Sequence, residues 1–192
     1  MTRQLRIGLV CWMIGGFSGS AVLAGEMVDN PTYKHWAKFK PGTYVVTKTV
    51  QEAMGHKTET IMTTTLKSVS GEKVVVEMTS VTKTAGQEIK MPPQSLTHAA
   101  RIEKTEVPAE AQPKPDDKKP DTKEGKADIE IAGKKVKTTW YEVTADMGSV
   151  KTHTKSWMCE DVPGQVVKTV SRTEGEMPMT VESVVVEYKV IK

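Results

Sequence analysis

Residues 135–160 read KVKTTWYEVTADMGSVKTHTKSWMCE. At its centre, Met147-Gly148-Ser149-Val150 offers a two-residue Gly-Ser turn whose twist matches that of the strands it joins. Placing Gly148 and Ser149 at the turn pairs residues whose numbers sum to 297. Asp146 then faces Lys151, Glu142 faces Lys155, Lys137 faces Glu160 and Trp140 faces Trp157. Three opposite-charge pairs and one aromatic pair, each worth roughly 0.2–1 kcal/mol, agree on a single register. A slip of one residue breaks all four, so the register predicts an antiparallel hairpin in which Trp140 and Trp157 touch. One face of it carries Val136, Thr138, Trp140, Glu142 and Thr144 with His153, Lys155, Trp157 and Cys159. The other carries Thr139, Tyr141 and Val143 with Thr154, Ser156 and Met158. Neither face is purely apolar, which favours a curved sheet with a partly wetted concave side over a tight sandwich.

The same pattern extends outward. Tyr44 to Glu52, Lys57 to Ser68 and Lys73 to Thr84 form a first group of alternating strands, and Lys135 to Thr144, Val150 to Glu160, Val166 to Thr173 and Thr180 to Ile191 form a second. Gly turns separate them, so sequential hairpins predict a long-stranded meander. Composition agrees: 24 Val and 24 Thr stand against five Leu, and β-branched side chains favour pleated surfaces. The fold class expected is all-β, a long-stranded antiparallel meander forming a curved sheet or half barrel, with one short N-terminal helix.

Two segments fall outside the meander. Asn30 can cap a helix that starts at Pro31 and is stopped by Pro41-Gly42, with Tyr33, Trp36 and Phe39 sharing a face that plugs one end of the β-structure. Six of the ten prolines lie from Pro92 to Pro120, and QPKPDDKKP (112–120) has no apolar residue. Residues 92–126 are therefore expected to be a flexible Pro/charge-rich insertion in a single β domain spanning 25–192.

Residues 1–24 carry the marks of a secretory signal peptide. Arg3 and Arg6 supply a positive start, Ile7 to Leu23 holds no charge, and Val22-Leu23-Ala24 forms a cleavage site. The apolar run approaches the ~20 residues that span a bilayer, so retention as an anchor is the competing reading. Cleavage leaves 25 basic against 24 acidic residues, and the formal charge falls from +3 to +1. Phosphate binding needs a concentrated positive surface, so nucleic acid is not expected as a partner. One cysteine remains, Cys159, which excludes an internal disulfide and leaves open a bridge to another chain.

Catalytic and metal motifs are missing from the sequence. His56, His98 and His153 have no partner at metal-ligand spacing, and no CxxC, HExxH or GxSxG occurs. His153 and Cys159, if on one strand, stand about 20 Å apart, too far for a nucleophile and its base. Met177-Pro178-Met179 has the spacing of soft-metal thioether sites, but a core or sheet-packing role is the preferred reading. No enzyme, metal site or cofactor is expected.

The stretch from Asn30-Pro31 to Lys40-Pro41-Gly42-Thr43, the Thr/Val-rich meander, and Gly133-Lys134-Lys135 leading into Thr139-Trp140-Tyr141-Glu142 resemble exported planctomycete-type proteins of unknown function. In plan they are similar to lipoprotein-localisation-factor-like curved β-sheet proteins. The resemblance implies a periplasmic, envelope or extracellular location and brings no catalytic or ligand motif. The function expected is a non-enzymatic exported protein that binds an apolar or amphipathic ligand on a concave sheet face, with Trp140, Trp157 and Trp36 as ligand-binding residues. The alternative is a structural or protein-interaction module of the cell envelope, with an envelope protein as partner. No integral membrane span is expected after signal cleavage.

Overall fold

The computed structural model describes residues 26–104, 121–146 and 148–192; the signal segment expected at 1–24 lies outside them. In chain order the elements are β1 (Met27–Asp29), α1 (Pro31–Trp36), β2 (Tyr44–Ala53), β3 (His56–Val69), β4 (Lys73–Thr84), β5 (Gln87–Ala99), β6 (Arg101–Glu103), β7 (Asp121–Ile131), β8 (Lys134–Asp146), β9 (Lys151–Met158), β10 (Val166–Glu174) and β11 (Met179–Lys189). Nine strands form one antiparallel sheet in the order β5-β4-β3-β2-β11-β10-β9-β8-β7, and β1 pairs with β6 beside it. The all-β meander with one short helix is thus as expected. The pairing of β2 with β11 joins the two strand groups.

The curved sheet or half barrel is not what forms. The sheet is open and neither closed nor curled, with β5 and β7 as separate edges. Curling brings energy only if it buries an apolar face, and on both faces polar side chains interrupt the apolar ones. One face sets ion pairs among Val and Trp side chains, Lys48–Glu59 at 2.8 Å, Lys155–Glu142 at 3.1 Å and Lys168–Glu182 at 2.6 Å. The opposite face is lined with hydroxyls that bond across strands, including Thr60–Thr82, Thr49–Ser183 and Thr154–Ser171, each at 3.0 Å. This second face explains the threonine excess. Thr keeps the strand preference of a β-branched residue while its hydroxyl stays satisfied on a wetted surface.

The core sits at one end of the sheet. Val45, Leu66, Val74, Val76, Val167 and Val185 gather there with Trp36 and Phe39, and the tip of the β7–β8 hairpin adds Ile131 and Val136. Bulges shape this end: β3 shifts register between Leu66 and Ser68, and β11 between Val185 and Glu187. The extra residue lets positions three apart, Leu66 with Val69 and Val185 with Tyr188, both reach the cluster, which plain alternation would forbid.

Helix α1 closes this end. The Asn30 side chain accepts from the backbone N–H of Thr32 and Tyr33, Pro31 takes the first helical position, and Ala37 ends the helix. The helix stops at Trp36, short of Phe39. A turn then brings Phe39 back against Trp36, ring centroids 6.5 Å apart. The Asn30 amide also donates to the Ala99 carbonyl and the Tyr33 hydroxyl to the Ser70 carbonyl, tying the helix to β5 and to the β3–β4 turn.

Strand structure runs further into the Pro/charge-rich segment than the composition suggests. Residues 92–99 lie in β5 and 121–126 in β7, while 105–120 fall outside the described residues. Pro92 and Pro93 sit where β5 shifts register against β4, between Met78 and Ser80. On an edge strand and at a bulge, a missing N–H costs no ladder hydrogen bond. Likewise β7 is charged because it is an edge exposed to water.

Two predictions follow from this packing. Leu66 is fully buried, so Leu66→Ala should cost about 2–5 kcal/mol in denaturant unfolding, while Thr60→Ala on the wet face should cost far less. His35 is buried, its Nε2 donating to the Val162 carbonyl at 3.0 Å, and burial pushes its pKa below the ordinary 6.5. Its neutral form is the one that fits, so its contribution is complete above pH 6.5 and is lost as pH falls from there toward the lowered folded value. Wild-type stability should accordingly decline on acidification more steeply than that of His35→Gln; parallel curves would contradict this.

Candidate functional site

The β8–β9 hairpin forms in the register read from its sequence. Asp146 pairs with Lys151, Glu142 with Lys155 and Trp140 with Trp157. The fourth pair does not form: β9 ends at Met158. Lys137 lies opposite Asp128 on β7, and Glu160 meets Lys38 just beyond α1 at 3.2 Å.

Trp140 and Trp157 are directly opposite and half-buried on the charged face. What joins them is Lys155, whose Nζ lies 3.8 Å from the Trp140 ring centroid and 5.5 Å from that of Trp157. Lys168 approaches Trp157 from the other side at 5.7 Å. Each ammonium is held by a carboxylate as well as by an indole face, which fixes the ring positions.

The Trp140 ring lies over Gly125, its partner on β7. A Cβ at position 125 would stand 2.6 Å from the ring. Glycine is needed there so that the indole can lie flat on the edge strand.

Beside Trp157, a surface depression of about 320 Å³ is lined by Glu142, His153, Thr154, Lys155, Trp157, Val170 and Arg172. Its size is at the lower limit of small-molecule sites. His153 is oriented by a 3.0 Å contact between its Nδ1 and the Thr144 hydroxyl. Of the lining residues only Trp157 was singled out as ligand-binding from sequence; the structure adds the others, Val170 and Arg172 from β10 among them. These two join Trp157 through the β9–β10 register, which pairs Lys155 with Val170 and His153 with Arg172. The link from β9 to β10 is seven residues long and is followed by a bulge between Val166 and Lys168, so its Pro163-Gly164 turn does not fix the register as a two-residue loop does.

Trp36 is elsewhere, 4% exposed in the core cluster. A larger depression, about 630 Å³, lies at the hairpin-turn end and is lined by charges of both signs, among them Glu52, Lys57, Arg172 and Glu174. Neither methionine of Met177-Pro178-Met179 enters the core: Met177 is exposed, and the Met179 sulfur accepts from Gln51 Nε2. Cys159 is half-buried against the core cluster.

Among the described residues, no helix is long and apolar enough to cross a membrane. Compared with protein-family models, curated proteins and solved structures, the chain matches none.

Gly125→Ala should displace the Trp140 ring, shifting the tryptophan emission spectrum and lowering the melting temperature modestly. In a Trp140→Phe background the same substitution should leave the spectrum unchanged, and an identical shift in both backgrounds would refute the Gly125–Trp140 contact.

Proposed function

We propose that this is an exported, non-catalytic binding protein that takes an amphipathic ligand on the charged face of its sheet, at the depression beside Trp157. The observation that carries this reading is the juxtaposition of half-buried apolar surface, Trp157 and Val170, with the polar groups of His153, Lys155 and Arg172 around one cleft. A ligand with an apolar part and a polar part is complementary to that arrangement, because each part finds a matching environment only there. Trp140 acts from beneath, holding Lys155 in place against its ring. Trp36 has no part in this site, since it is enclosed in the core. Export is supported by the signal-like residues 1–24, and a binding role by the lack in the sequence of any constellation at catalytic spacing.

Titration of the mature protein with a dodecyl-chain amphipath below its critical micelle concentration should change the tryptophan emission saturably. Trp157→Ala should weaken the affinity by about tenfold or more, since burying a large apolar side chain is worth ~1.5–3 kcal/mol. Unsaturable or unchanged emission in the wild-type protein would reject the reading.

A further inference from the structure

We infer that the polar end of this ligand is an oxyanion, received by Arg172 with His153 beside it. The inference rests on the amphipathic-ligand reading above and specifies its head group. Three cations surround Trp157 and Val170 on this face. Two are already neutralised, Lys155 by Glu142 at 3.1 Å and Lys168 by Glu182 at 2.6 Å. Arg172 differs: among the described residues it has no carboxylate within 4.0 Å. Glu174, two residues along the same strand, is paired in register with Lys151, and Glu52, in line across β11, turns to Lys57 at 3.8 Å.

The second group is His153, directly opposite Arg172 in the β9–β10 ladder. Its Nδ1 is engaged by the Thr144 hydroxyl at 3.0 Å, which sets the ring, and its Nε2 makes no hydrogen bond among the described residues. A guanidinium fork and an imidazole nitrogen at one end of the cleft suit an anionic head, since Arg binds carboxylate and phosphate oxygens with two parallel hydrogen bonds. From the Arg172–His153 pair to the Lys168–Trp157 pair is four residues, about 13 Å along the strands. An alkyl chain of medium length laid from Arg172 across Val170 reaches Trp157.

The test compares three probes of one chain length, dodecanoate, dodecyl phosphate and dodecanol, titrated into the mature protein and into Arg172→Gln. The expected result is that at least one anion binds the wild type about tenfold or more tightly than the alcohol, and that Arg172→Gln removes this preference. The circular dichroism spectrum of the variant should match that of the wild type, which shows that it is folded, and dodecanol should still bind it, which shows that the apolar part of the site is kept. Whichever anion shows the preference identifies the head group as carboxylate or phosphate. Equal binding of all three probes overturns the oxyanion inference and leaves the amphipathic reading standing. Tight anion binding that survives Arg172→Gln overturns the role of Arg172. No binding of any probe overturns the amphipathic reading, and the inference with it.

Discussion

The constraint on which the structure depends is that, among the described residues, one continuous hydrogen-bonded ladder of nine strands is anchored by apolar packing at only one end. At that end, a small cluster of Val, Leu and Ile side chains, closed by Trp36 and Phe39, resists unfolding in the usual way. Beyond it, both faces are wetted among the described residues, and cohesion comes from backbone hydrogen bonds and cross-strand pairs. Such pairs are individually small, so they must be numerous and agree on one register. The ion pairs on one face and the hydroxyl pairs on the other meet that requirement.

An open sheet also has two edges, and both are guarded against adding another strand. On β5, Pro92 and Pro93 remove two backbone donors. On β7, alternating Lys, Glu and Asp side chains make an approaching strand meet charge at nearly every step. A role for the edges in recruiting an envelope partner is therefore less well supported than binding on the charged face, where the tryptophans lie inside the sheet rather than at its rim.

The candidate site shows how an open sheet face can still hold rigid side chains. Lys155 is fixed by one carboxylate and by two indole rings, and Trp140 is fixed by the flat surface that Gly125 leaves on β7. Preorganisation of this sort lowers the ordering cost of binding, which matters at a depression open to water.

Strand identity and the β8–β9 register were legible in the sequence, because a two-residue turn fixes which residues oppose each other and the opposite charges then check the count. The helix cap at Asn30 was legible for the same reason, since it depends on neighbours in the chain. What only the tertiary structure decided involves partners joined by longer connections or altered by a bulge. The register of β9 with β10 placed His153 against Arg172, and the bulges after Leu66 and Val185 turned side chains toward the core that strict alternation would send to solvent. Whether the meander curls was decided by the balance over all nine strands, and with ion pairs on one face and hydroxyls on the other there was, among the described residues, no continuous apolar surface to reward closure.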